Sequence, residues 1–191
     1  MDETEAVRMV NGVEAPAPGD WNIDPAHSEV AFVARYLMVT KVRGGFGEYS
    51  GTLHIAEKPE ESWVEMTIKA ASIDTGTPDR DKHLRSADFM DVERFPELRF
   101  KSTKVELTGG MNLTVTGDLT IRDVTHEVAL KVDFEGVAKS PWGQEVIAFS
   151  AVTEIDREDF GITWNLALET GGVVVGKKVK IEIEAEAVRQ N

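Results

Sequence analysis

The stretch Lys178-Val179-Lys180-Ile181-Glu182-Ile183-Glu184-Ala185-Glu186-Ala187 alternates charged and apolar side chains without a break. A period of two is the signature of a β-strand, whose successive side chains point to opposite faces of a sheet. Here one face is wholly apolar and the other wholly charged, so the segment reads as a strand with one side on a core and the other in water. The same pattern recurs upstream. Val30, Phe32, Ala34 and Tyr36 share a face, as do Val64, Met66, Ile68 and Ala70. Leu98, Phe100 and Ser102 form another apolar face, followed by Leu113, Val115, Gly117, Leu119 and Ile121, and then by Val128, Leu130, Val132 and Phe134. Weaker runs from Gly44 to Ile55 and from Val146 to Ile155 bring the expected total to about eight strands.

Turn signals such as Thr108-Gly109-Gly110 and Ser140-Pro141-Trp142-Gly143 separate these runs. The one helical candidate is the polar stretch Asp79 to Met90, where Leu84 is placed to pack inward. Strands with one apolar face and almost no helix must cover one another, which leaves a sandwich or a closed barrel. Closure also removes exposed edges. About eight strands is the size at which a barrel interior fills with side chains or holds one small ligand. Small inward residues such as Ala34, Gly44, Ala70, Ser102, Gly117 and Ala185 are compatible with either. Gly44, Gly45, Gly47 and Gly51 fall within one run, which implies bulges or a sharp bend.

Composition narrows the function classes. The 191-residue chain is sized for one domain. Its net charge of −13 argues against nucleic acid, whose phosphates need a basic surface. With no cysteine, disulfides and thiolate chemistry are excluded. No run approaches the ~18 apolar residues of a membrane helix. Residues 1–20 carry Asp2, Glu3, Glu5, Glu14 and Asp20 against the single Arg8. They read as a flexible acidic extension rather than a secretory leader, so a cytoplasmic protein is expected. His27, His54, His83 and His126 fall in different elements and make neither HxH nor HExxH, so no metal site is expected. No phosphate-binding glycine loop and no GxSxG occurs, and most carboxylates lie on outward strand faces. Neither an enzyme nor a cofactor is indicated.

Several collinear segments resemble the YceI-like family of lipocalin-like, polyisoprenoid-binding proteins. They include Trp21-Asn22-Ile23-Asp24-Pro25-Ala26-His27-Ser28, Val42-Arg43-Gly44-Gly45-Phe46-Gly47 and Ala71-Ser72-Ile73-Asp74-Thr75-Gly76. The most specific is Arg80-Asp81-Lys82-His83-Leu84-Arg85-Ser86-Ala87-Asp88-Phe89. Asp156-Arg157-Glu158-Asp159-Phe160-Gly161-Ile162 closes the series, and the likeness covers roughly Trp21 to Ala187. The resemblance implies an all-β, antiparallel eight-stranded lipocalin-like barrel with one short helix in a loop, occupying residues 21–191. It also implies a binding or transport protein for a long-chain isoprenoid, quinone or fatty-acyl-type lipid. Many relatives look secreted, whereas Gly161 to Gly172 looks like the version carried by leaderless members.

In such a lumen, Phe32, Tyr36, Phe46, Met66, Phe100, Leu119, Phe134 and Phe149 are the side chains expected to grip the lipid tail. Trp164 is expected to roof it, and Arg80, His83, Arg157 and Asn165 are candidates for a polar head at the mouth. Each of these also reads as a residue that merely stabilises an end loop. A barrel packed solid for a structural or partner-binding role is the alternative, and an enzyme acting on a lipid a third reading. Ala31, Val33 and Leu37 give the first strand a mildly apolar outer face, which leaves a homodimer open.

Overall fold

The computed structural model describes residues 7–190. Its strands in chain order are β1 (Val7–Val10), β2 (Val13–Pro16), β3 (Gly19–Ile23), β4 (Glu29–Tyr36), β5 (Thr40–Phe46), β6 (Tyr49–Ile55) and β7 (Trp63–Lys69). They continue with β8 (Ile73–Asp74), β9 (Glu97–Gly109), β10 (Asn112–Ile121), β11 (Val124–Lys139), β12 (Glu145–Asp156) and β13 (Val175–Arg189). A single short helix, α1 (Pro78–Arg85), lies between β8 and β9.

Strands β13, β3, β6, β7, β9, β10, β11 and β12 are neighbours in that order, and β12 pairs back onto β13. The sheet therefore closes into an eight-stranded antiparallel barrel of lipocalin type. β13 is long enough to serve two partners on one edge: Ala187–Arg189 pair with β3, and Val175–Glu184 pair with β4. β4, β5 and β8 then extend the wall at the end that carries α1. Irregularities at Thr116/Gly117 in β9–β10 and at Phe134/Gly136 in β11–β12 let these long strands coil around the lumen.

Three expectations for the strands and the N-terminal segment change. The run Gly44 to Ile55 is two strands, β5 and β6, which turn a corner at Gly47 and do not pair with each other. Three of its glycines, Gly44, Gly45 and Gly51, are required by close approach: a Cβ on Gly45 would lie 2.8 Å from the Val30 carbonyl oxygen. The flexible extension is replaced, from residue 7 onward, by the hairpin β1–β2. Asn11 and Gly12 form its turn at φ 51° and 80°, and Asn-Gly is the strongest short-range hairpin signal. Ala15 and Ala17 are buried beneath it, and Arg8 donates to the Ala56 and Glu57 carbonyls. The expectation for residues 1–6 lies outside the described residues. Finally, Ala31 is 2% exposed, so the apolar strip outside β4 is reduced to Val33 and Leu37.

α1 is shorter than the expected Asp79–Met90. Pro78 starts it, where its missing N–H costs nothing. Ser86 ends it, its hydroxyl donating to the His83 carbonyl at 2.6 Å. The core divides into two clusters, one at the α1 end and one at the opposite end, where Trp21, Ile147 and Ala187 are fully buried. Trp21 Nε1 donates to the Ala17 carbonyl at 3.3 Å, which satisfies its one polar group.

Candidate functional site

Two cavities lie inside the barrel, of about 200 Å³ near α1 and about 130 Å³ toward the other end. Met66, Phe100, Leu130 and Ile183 line both, so these four side chains form a waist between two chambers. The wall at the waist is a cross-strand row. Gly51 on β6 faces Met66 on β7, Met66 faces Phe100 on β9, and Phe100 faces Leu119 on β10. Two glycines hold aromatic rings against the wall. A Cβ on Gly117 would come within 2.6 Å of Phe100 Cζ, and one on Gly44 within 2.5 Å of Phe32 Cζ. The close packing of ring on glycine is what leaves space along the axis.

Phe32, Phe46, Met66, Phe100 and Leu119 line the chamber near α1, and Phe149 lines the other. Phe134 lines neither; it stands directly opposite Phe149 in register, with ring centroids 5.3 Å apart. Tyr36 stands apart from the lumen wall. It is 42% exposed and lines neither chamber, standing at the last position of β4, where its partner strand β13 is irregular between Val175 and Val179. Leu84, Phe89 and Ile162 also reach the lumen, from α1 and loops where no strand period marks them. Ile181 and Ile183 line it too, as the alternation of the last strand had offered.

Polar groups at the lumen are already paired. Thr153 donates to the Ala129 carbonyl at 2.8 Å, and Ser62 Oγ accepts from the Ala56 amide at 3.0 Å. Arg157 is 4% exposed and lines the α1-end chamber. Four of its five N–H groups donate to the carbonyls of Gly176 (2.9 Å), Ile162 (2.9 Å), Trp164 (2.9 Å) and Val175 (3.2 Å). Burial pushes its guanidinium below the ordinary value, against the pull of Glu158 and Asp156. The charge is thus engaged by the loop that follows β12 and by the start of β13, with one N–H left over.

The other head-group candidates behave similarly. Asn165 imitates a strand partner: its amide nitrogen donates to the Val175 carbonyl at 2.7 Å and its oxygen accepts from the Val175 amide at 3.0 Å. Arg80 donates to the hydroxyl and carbonyl of Thr75. Asp81, also buried, accepts from the Thr75 amide at 2.8 Å and the Thr75 hydroxyl at 2.6 Å. Burial alone would raise the Asp81 carboxyl; the Thr75 bonds and nearby Arg85 outweigh it and hold the group below its ordinary range. His83 and Trp164 differ, because they meet each other. The His83 ring lies edge-on to Trp164 at 4.6 Å and to Phe89 at 5.0 Å, while its Nε2 pairs with Asp88 at 2.8 Å. This aromatic group packs against the core at the α1 end of the barrel.

Two more histidines are tied to an aspartate, His27 to Asp24 at 2.8 Å and His54 to Asp20 at 2.6 Å. Asp24, His27 and Glu186 place three potential ligand atoms within 4.8 Å of one another on the outer surface. Asp24 there caps the turn that follows it, accepting from the Ala26 amide at 3.0 Å.

A closed antiparallel barrel enclosing an apolar, internally paired lumen defines the class: a lipocalin-like protein. Residues 21–187 match the model of the YceI-like domain, and the chain belongs to that family. It is 41% identical over 168 residues to a UPF0312 protein of Staphylococcus epidermidis, covering 87% of this chain and 95% of the relative. A UPF0312 protein of Pseudomonas putida is 36% identical, covering 86% of this chain and 82% of its own. Among solved structures, BcnA of Burkholderia cenocepacia superposes with a TM-score of 0.76 at 25% identity, over 86% of this chain and 98% of that one. A polyisoprenoid binding domain from Saccharophagus degradans shares the fold, with a TM-score of 0.69 at 13% identity over 91% of this chain and 100% of that one. Among the described residues no helix is long and apolar enough to cross a membrane.

Proposed function

We propose that the chain binds one long-chain isoprenoid, or a similar apolar lipid, within the barrel and carries it without chemical change. The observation that supports this is the lumen: two adjoining chambers lined almost wholly by aliphatic and aromatic side chains, with the few polar groups already hydrogen-bonded. Such a wall rewards apolar surface and penalises any polar atom placed along it. Each ~100 Å² of chain removed from water contributes about 2.5 kcal/mol. Association costs about 4–15 kcal/mol, and micromolar binding corresponds to about −8 kcal/mol. An extended chain filling both chambers suits that balance better than a compact ligand filling one. The kinship in fold with a polyisoprenoid binding domain points the same way. Among the described residues, the pairing of Thr153 and Arg157 with backbone carbonyls supports reading the chain as a carrier.

Phe32, Phe46, Met66, Phe100, Leu119 and Phe149 hold the tail in this reading, and His83 with Trp164 closes the α1 end over it. Native mass spectrometry of the delipidated protein mixed with prenyl alcohols, a prenylated quinone and a fatty acid tests the proposal. One-to-one complexes with at least one of these are expected. Failure to retain any of them overturns it.

A further inference from the structure

The turn joining β4 to β5 is built against local preference. Leu37 and Met38 both adopt left-handed backbone conformations, at φ 51° and 67°. Glycine and asparagine enter that region most readily, and large apolar residues seldom do. The same chain makes its β1–β2 turn with Asn11-Gly12 at nearly the same first angle. Turning the chain therefore does not require Leu and Met. Packing accounts for Met38 alone, which lies against Gly172, and the tip stays open: Leu37, Met38 and Val39 are 40%, 55% and 74% exposed, beside Tyr36 at 42%. Leu166, at 57%, adds to the same end from the loop ahead of β13. Leu37 donates to the Val174 carbonyl at 2.9 Å, and a Cβ on Gly172 would come within 2.9 Å of Met38, so this loop docks against the turn.

The charges flanking the turn are equally distinctive. Arg35 and Lys41 face each other across the hairpin, and among the described residues neither has an acidic partner. In a chain of net charge −13 that is a local basic collar around an apolar tip. The tip also adjoins the α1-end chamber, whose lining includes Ala34, two residues before Tyr36, and Val175, its register partner.

We propose that residues 36–39, with Leu166, form a wedge that dips into an anionic lipid bilayer. The apolar side chains enter the interface while Arg35 and Lys41 meet lipid phosphates, an arrangement that binds membranes by buried area plus charge. A second copy of the chain fits less well. Symmetric packing of the tips would bring the basic collars together, and a hairpin tip offers little of the ~800 Å² per partner that a stable dimer buries. Membrane contact does not depend on the lumen reading; its use for loading lipid rests on it.

Co-sedimentation with vesicles of pure phosphatidylcholine and of equal phosphatidylcholine and phosphatidylglycerol tests the wedge. The unmodified protein should bind the anionic vesicles and leave the neutral ones largely free. The double variant Leu37→Asn/Met38→Gly relieves the turn, so it should melt no lower than the parent yet lose vesicle binding. Arg35→Glu/Lys41→Glu should weaken binding to anionic vesicles by about thirtyfold or more, at roughly fivefold for each charge lost near the surface. Absence of binding by the parent, or undiminished binding by the first variant, overturns the proposal. So does a parent that is dimeric by ultracentrifugation, ignores vesicles and becomes monomeric in that variant, because the occupant is then a second copy. Farnesol uptake is measured in parallel. Vesicle binding without uptake sustains the wedge and removes the carrier function, whereas uptake without vesicle binding does the reverse.

Discussion

Arg157→Met keeps most of the side-chain volume and removes every donor, which isolates the hydrogen bonds from packing. Four carbonyls then lose a charged partner, those of Gly176, Ile162, Trp164 and Val175. The bond to Ile162 is fully buried and the other three are partly so. An orphaned buried acceptor costs about 1–3 kcal/mol, and one that water can reach costs less. Relief from desolvating the guanidinium offsets part of the loss. A net destabilisation of about 3–5 kcal/mol follows, in line with breaking a buried charged network. In a chain of this length each kcal/mol moves the melting temperature by about 2–4 °C, so the drop should be roughly 6–20 °C. Urea denaturation with thermal melts measures it. Arg157→Lys serves as the comparison, because one ammonium cannot span four separated carbonyls and should recover only part of the loss. A change of under ~1 kcal/mol in the Met variant would refute the view that this guanidinium pins the 161–174 loop to β13.

Gly117→Ala places a Cβ 2.5 Å from the Lys101 carbonyl oxygen, where backbone must yield, so a loss of about 1–3 kcal/mol is expected in urea titrations. Phe100→Ala opens the waist. It should cost about 2–3 kcal/mol, less than in a filled core, and shift the prenyl alcohols retained in native mass spectrometry toward longer chains. His27→Gln tests the surface pair through pH. The bond to Asp24, with attraction from Asp24 and Glu186, raises the His27 value above 6.5; that contribution is complete below 6.5 and lost as pH rises through the folded value. The bond to His27 lowers Asp24, whose contribution is present above 3.8 and lost as pH falls through its own folded value. The melting temperature of the parent should therefore decline above pH ~6.5, and the variant should flatten that decline.

Much of the fold was legible because period two survives wherever one strand face meets water. The charged outer row Lys178, Lys180, Glu182, Glu184 marks the inner row of β13 by contrast, and β9, β10 and β11 read the same way. Legibility failed where geometry is set by contact between distant segments. Nothing local in Gly44 to Ile55 reveals that the chain turns a corner there and that its two halves pair with different strands. Asn11-Gly12 was an available hairpin signal, masked by the acidic residues around it. Part of the lumen wall was likewise visible as alternation, while Phe89 and Ile162 come from loops that have no period. The polar candidates show the sharpest limit. Arg157 and Asn165 stand out in sequence as polar residues near a mouth, yet their partners are backbone atoms, which carry no side-chain signature.

If the apolar ligand lies inside the barrel, photo-crosslinking locates it there directly. A prenyl alcohol carrying a diazirine, bound at one equivalent and irradiated, should label peptides from β4, β7, β9 and β10, at or beside Phe32, Met66, Phe100 and Leu119. Leu119→Trp, which fills the chamber near α1, should suppress that labelling while leaving the melting transition cooperative. Labelling confined to exposed side chains such as Val39 or Trp142, unaffected by Leu119→Trp, would contradict the account.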